Sequence, residues 1–215
     1  MSVGETPDAR LLQALLLPGA GLKQQLSQSL LLWLLDIDAE RVQLDVAQIS
    51  AFWQRLPYWA FAWAGGRLLA QYILDHPELV RGKRVLDFGC GSGLVGIAAA
   101  KAGARQVWVA DLDDNALLAA AHNAALNQVE LMAVDAQAGW PQVDVLLASD
   151  VLYDISSSAD LRQLMLQIPD WLLAENPQVA PDWVTLRPLH QAICSTLPAI
   201  GDFDDAVTLT VYGRT

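Results

Sequence analysis

One stretch of this chain limits its possible folds more than any other: Val85-Leu86-Asp87-Phe88-Gly89-Cys90-Gly91-Ser92-Gly93-Leu94-Val95-Gly96. Val85 to Asp87 reads as a buried strand. It passes into a glycine loop, and a helix is expected to run on to Ala102, with Gly103 as its C-cap. Glycines let the backbone turn sharply and let a ligand approach main-chain atoms. A loop of this kind at the carboxyl end of a strand is where open α/β sheets bind ligands.

Beyond Gly103 the chain keeps the same rhythm. Gln106 to Ala110 reads as a second strand, and Asn115 to Asn127 as a helix capped by Asp113 or Asp114. Val129 to Val134 and Val143 to Ala148 are further strands, Asp160 to Gln167 a helix, and Trp171 to Ala174 a fifth strand. Such alternation predicts a parallel sheet with helices on both faces. The tail breaks the pattern. Gln191 to Thr196 and Thr208 to Tyr212 flank a turn-rich stretch with no room for a good helix, so an antiparallel closing pair fits best. The fold expected is therefore α/β, a Rossmann-like, seven-stranded, mostly parallel sheet ending in an antiparallel strand pair.

The N-terminal quarter is harder to read. Residues up to about Ser29 suggest two short helical pieces broken by Pro18-Gly19-Ala20-Gly21. Leu30 to Leu35 and Arg41 to Leu44 could form a small hairpin or a helix. Gly65-Gly66 opens a helix that stops at His76-Pro77.

With 215 residues, 53% of them apolar, the chain can bury one sizeable core. No apolar run is long enough to span a bilayer, and the N-terminus lacks the basic start of a signal peptide. Two cysteines make neither a disulfide framework nor a metal site, and the three histidines have no ligand spacing, so no metal is expected. A reducing cytoplasm is the natural compartment. The net charge of −11 disfavours nucleic acid as a partner and would attract a basic substrate.

Gly91-x-Gly93-x-x-Gly96 alone also fits a dinucleotide-binding loop. Three features favour a different ligand. Asp87 stands just before the glycines, where a buried carboxylate could meet a cationic amino acid but would repel a pyrophosphate. The glycines run G-x-G-x-G. The sheet closes with an antiparallel pair. Asp111 ends the next strand, about 20 residues on, where a carboxylate can accept both ribose hydroxyls.

The string resembles motif I of class I, seven-strand methyltransferases. Together with Pro57-Tyr58-Trp59-Ala60-Phe61-Ala62-Trp63-Ala64-Gly65-Gly66, Ala110-Asp111-Leu112-Asp113 and Ser149-Asp150-Val151-Leu152-Tyr153, it resembles the lysine methyltransferases of the electron transfer flavoprotein β subunit and the nicotinamide N-methyltransferase-like group. The resemblance implies an N-terminal extension, 1–56, and a methyltransferase domain, 57–215. It implies S-adenosylmethionine as cofactor and a protein substrate with an exposed lysine, and the charge and short apolar runs above speak against nucleic acid and membrane. A small-molecule N-methyltransferase and a catalytically silent cofactor-binding module stay open as alternatives.

By the same resemblance, Gly89, Gly91 and Gly93 line the methionine part of the cofactor, Asp87 meets its amino group, Asp111 takes the ribose and Asp135 the adenine amino group. Trp59 and Trp63, four apart and so on one face if helical, would lie over the cofactor. Asp150 and Tyr153, just past the fourth strand of the glycine-loop sheet, would position the amine. Glu175-Asn176-Pro177-Gln178 departs from the Asp-Pro-Gly-Arg type of sequence expected after the next strand.

Overall fold

A computed structural model describes residues 6–37, 46–135, 138–152, 155–180, 186–199 and 206–214. The main sheet is built from β3 (Arg84–Phe88), β4 (Gln106–Ala110), β5 (Met132–Ala133), β6 (Val145–Ser149), β7 (Asp170–Glu175), β8 (Leu186–Cys194) and β9 (Val207–Arg214). Across the sheet these seven strands lie in the order β5-β4-β3-β6-β7-β9-β8. The first five run parallel. β9 is antiparallel to both β7 and β8, so the expected closing pair is present. The chain leaves β3 towards β4 and later returns to β3's other side with β6. Loops after β3 and β6 therefore open the crevice where such sheets take ligands.

Alternation of side chains divides the core. Val85, Val107, Val145, Leu147, Leu172 and Val211 face α3 (Ala64–Asp75) and α4 (Leu94–Lys101). Leu86, Phe88, Leu146, Trp171 and Leu173 face α6 (Ile155–Gln167), which contributes Leu161, Leu164 and Met165. Residues one apart on a strand point to opposite faces, so each strand serves both layers. α5 (Asp114–Leu126) lies beside α4, with Ala120 against Val109. Asp113 is its N-cap, accepting from the Asn115 amide at 2.8 Å.

The N-terminal part differs from its sequence reading. After α1 (Ala9–Ala14), the second helical piece is instead a strand, β1 (Gly21–Ser27), which pairs antiparallel with β2 (Leu30–Asp36). The hairpin thus lies earlier than expected, and Arg41 to Leu44 fall outside the described residues. Gln28 and Ser29 turn the chain with φ of 48° and 64°. β2 is buried on both faces, its Leu30, Leu32 and Leu34 against Ile97 and Ala124 and its Trp33 and Leu35 in a second cluster with Trp59 and Phe61.

Two asparagines of the α5 end serve as a substitute strand for β2. Asn123 Oδ1 accepts from the Trp33 amide at 2.7 Å, and Asn127 Oδ1 accepts from the Leu31 amide at 3.0 Å. Asn127 Nδ2 also donates to the Leu31 carbonyl at 2.7 Å. Backbone groups of a buried edge are satisfied by side chains rather than by another strand. α2 (Val46–Gln54) follows, before the aromatic segment.

Candidate functional site

At the carboxyl ends of β3, β4, β6 and β7 lies a cavity of about 920 Å³, within the usual size of a small-molecule site. The glycine loop forms its floor. Gly89 and Cys90 amides both donate to the Ala110 carbonyl, at 2.8 and 3.1 Å, tying the loop to the end of β4. Gly89, Gly91 and Gly93 all have positive φ, the region that favours glycine. Gly93 also stands where a Cβ would come within 2.8 Å of the α5 backbone at Ala120, so a larger residue would push the helix away.

The carboxylates around this loop differ in what they touch. Asp111 Oδ2 accepts from the Gly91 amide at 2.9 Å and its Oδ1 from the Asp113 amide at 3.0 Å. The side chain thereby fixes the loop while lining the cavity. Burial pushes its carboxyl above the ordinary range, against the pull of those amides. Asp150, at φ 53°, turns its carboxylate onto the start of α3, accepting from the Gly65 amide at 3.2 Å and the Gly66 amide at 2.8 Å. Gly65 is required there, since a Cβ would lie 2.5–2.8 Å from the Asp150 carboxylate. A carboxylate at a helix N-terminus is favoured by the unpaired amides and the helix dipole.

Asp87 sits elsewhere. It is 2% exposed and does not line the cavity; its Oδ2 accepts from the Gly96 amide in α4 at 2.8 Å. Burial pushes its carboxyl up to about 7, with the nearby Asp111 adding to the shift. Asp87 thus touches the helix behind the loop rather than the cavity.

Aromatic side chains form the opposite wall. Trp59 belongs to a short 3-10 turn, Tyr58–Ala60, and Trp63 caps α3, with extended Phe61 between them. The two tryptophans do not share a helix face, since Phe61 is extended and Ala62 bridges to Leu197; both nevertheless line the cavity. Trp63 Nε1 donates to the Tyr58 carbonyl at 2.8 Å, and its ring lies 5.5 Å from Tyr58 and 5.4 Å from Phe61.

Of the residues singled out in the sequence, Trp59, Trp63, Gly89, Gly91, Asp111 and Asp150 meet at this cavity. Asp87 and Gly93 lie behind the loop, and Asp135 is exposed and off the lining. Tyr153 lies outside the described residues. Sequence reasoning missed Asp160 and Glu175, which also line the cavity. Glu175 is 5% exposed, and burial pushes its carboxyl up. Its only signal in the sequence was the unexpected Glu-Asn-Pro-Gln string.

Among the described residues no three histidine, cysteine or acidic side chains group as metal ligands would, and no helix is long and apolar enough to cross a membrane. Five carboxylates line the cavity, of Asp111, Asp113, Asp150, Asp160 and Glu175, and no lysine, arginine or histidine among the described lining residues offsets them. Six aromatic rings share that lining. Carboxylates and aromatic faces together suit a cation.

Residues 69–159 match the family model described as ribosomal protein L11 methyltransferase (PrmA). The chain is 39% identical over 114 residues to the electron transfer flavoprotein beta subunit lysine methyltransferase of Danio rerio, covering 50% of this chain and 43% of that protein. For the Mus musculus protein of that name the identity is 39% over 144 residues, covering 61% and 55%. The chain spans about half the length of the curated relatives it matches. A solved structure described as a putative SAM-dependent methyltransferase from Streptococcus mutans superimposes with a TM-score of 0.56 at 13% identity, over 90% of this chain and 55% of that one. In fold the chain is thus Rossmann-like, as that structure is, and in sequence it is similar to the lysine methyltransferases of the electron transfer flavoprotein beta subunit.

Proposed function

We propose that this chain is an S-adenosylmethionine-dependent N-methyltransferase that acts on a lysine side chain of a protein. The observation that carries the reading is the cavity lining, five carboxylates and six aromatic rings with no described cation among them. A dinucleotide brings a doubly charged pyrophosphate into such a field, which would repel it. A sulfonium and an amine meet complementary charge.

The residues fit the cofactor. The floor made by Gly89 and Gly91 lets a ligand approach the backbone, and Asp111, held by two amides, presents a fixed carboxylate to ribose hydroxyls. Leu112, Leu117 and Val134, from segments flanking β4, give apolar walls for a base. Trp59 and Trp63 cover the opposite side. Asp87 and Gly93 support the loop from behind, and Asp135 takes no part in this assignment.

The bound cofactor supplies a methyl carbon already activated by its sulfonium. The protein must align the amine and keep water out. Trp59 and Phe61, at 2% and 1% exposed, close the inner wall. A lysine amine has a reference pKa of about 10.4, which a cation and burial both lower. The acidic lining attracts the charged amine, and its proton leaves before attack. Asp150 fixes the start of α3, and with it the aromatic wall.

A protein substrate is supported by the mouth of the cavity. Tyr58, Leu112, Trp140 and Val179 line it and are exposed, an apolar rim that a polypeptide surface would cover. The names of the lysine methyltransferase relatives point the same way. We assign the methyltransferase domain to 57–215 and the extension to 1–56. Both cysteines are free, in keeping with a reducing cytoplasm.

Two measurements test this. Calorimetry is expected to show binding of S-adenosylhomocysteine and not of NAD; tighter binding of NAD would end the reading. Methyl-labelled cofactor added to cell lysate is expected to label lysine in protein. Label confined to small molecules would make the substrate a small amine instead.

A further inference from the structure

Glu175 ends β7, one strand beyond Asp150 in the sheet, and lines the same cavity. Its Oε1 accepts from the Asn176 amide at 3.0 Å. Its Oε2 is buried and has no hydrogen-bond partner among the described residues. Buried polar atoms are nearly always paired, so an orphaned carboxylate oxygen beside a ligand cavity points to a donor that arrives with the ligand. No described lining residue brings a cation to it.

Two neighbouring carboxylates of the cavity are already engaged. Asp111 holds the Gly91 and Asp113 amides, and Asp150 holds those of Gly65 and Gly66, each with both oxygens. Either could accept a further bond, but its first commitment is to the backbone. Glu175 differs in that its second oxygen, though buried, has no donor among the described residues.

We propose that Glu175 is the substrate-side anchor of this site, its Oε2 accepting an N–H from the primary amine that is to be methylated. The inference rests on the methyltransferase reading above and adds the residue that selects a cationic nucleophile. Once the amine has lost a proton to solvent, its lone pair forms the new N–C bond. The C–S bond breaks, and its electron pair stays on sulfur, leaving a neutral thioether. The methylated nitrogen carries the positive charge, and the Glu175 carboxylate remains opposite that charge. Burial raises the affinity of Glu175 for protons, which fits a group built to meet a donor rather than bulk water. The amides of Asn176, Leu152 and Val151 lie near enough to temper that rise, yet Oε2 has no hydrogen-bond partner among the described residues.

The probe is the n-butylammonium ion, the end of a lysine side chain, titrated into protein saturated with S-adenosylhomocysteine. Neutral n-butanol serves as the isosteric control. Wild-type protein is expected to bind n-butylammonium at least tenfold more tightly than n-butanol. Glu175→Gln should abolish that preference, keep S-adenosylhomocysteine affinity within threefold, and lower label transfer to lysate protein about a hundredfold. Glu175→Asp keeps the charge but withdraws it by one methylene, so an intermediate preference is expected. A folded Glu175→Gln protein with undiminished preference for the ammonium overturns the proposal. So does a wild-type protein with no such preference, which needs no variant to fold. Failure of the wild type to bind S-adenosylhomocysteine would instead remove the methyltransferase reading beneath it.

Discussion

The two flanks of the glycine loop are built alike and finished differently. On the β4 flank, Asp111 ends its strand and takes two backbone amides, of Gly91 and Asp113. On the β6 flank, Asp150 follows its strand and takes two, of Gly65 and Gly66. The β4 flank then closes on itself, because Asp113 is spent on the Asn115 amide as a helix cap. The β6 flank does not close, because neighbouring Glu175 keeps a buried oxygen without a donor among the described residues. One flank is complete as folded, which suits a ligand of fixed shape. The other is incomplete until something donates to it, which suits the reacting partner.

Between the flanks stands Asp87, and the largest expected effect lies there. Its carboxyl is raised from 3.8 to about 7, so the folded protein holds the proton more tightly than the unfolded chain. That contribution to stability is fully present below about pH 4 and is lost as pH rises through about 7. Asp87→Asn removes it. Relative to wild type, the variant should gain roughly 2–4 kcal/mol between pH 4 and pH 8, read by urea unfolding of the ligand-free proteins. Parallel pH profiles would mean that the charge is compensated, and the distinction between this enclosed carboxyl and the two flanking ones would collapse.

Next is Asp111→Ala, which should weaken S-adenosylhomocysteine binding by about 1.5–3 kcal/mol, the worth of hydrogen bonds to a charged group. Calorimetry on the folded variant reads it directly. Unchanged affinity would show that the β4 flank only shapes the loop and that the ribose is held elsewhere.

The smallest pair compares glycines. Gly65→Ala drives a Cβ into the Asp150 carboxylate and should cost about 2 kcal/mol of stability. Gly91→Ala meets nothing within 4 Å and is opposed only by its φ of 49°, so about 1 kcal/mol is expected. Denaturant midpoints in the reverse order would place the tighter packing on the β4 flank.

The parallel half of the sheet was legible because each element carries its own cue. Valines and leucines fill Val85 to Leu86 and Val145 to Leu147, glycines follow β3, and Asp113 announces α5. The N-terminal hairpin was not. Gly21-Leu22-Lys23-Gln24-Gln25-Leu26-Ser27 contains no β-branched residue, and its turn is Gln28-Ser29 rather than the asparagine or glycine that left-handed φ favours. What makes it a strand is its partner β2, held in turn by Asn123 and Asn127 some 90 residues away. At the site, the motif residues could be named in advance, but their occupation could not. Nothing in Ser149-Asp150-Val151 says that its carboxylate caps α3, and Glu175 is buried only because β6 and β9 lie on either side of β7.

Asn123 and Asn127 also tie together a part of the chain that the family model matches and a part that it does not. The family match starts at residue 69, well after the hairpin it leaves out. Yet α5, inside the match, aims Asn123 and Asn127 at the backbone of Leu31 and Trp33 and lays Ala116 and Ala119 against the cluster that holds Trp33 and Leu35. A fragment cut where the family match begins would leave this face of the helix greasy and the Oδ1 atoms of both asparagines without these donors. Amide protons of β2 and of α5 should therefore exchange with solvent together, as one cooperative unit. The edge of the family match and the border along which this molecule comes apart run through different places.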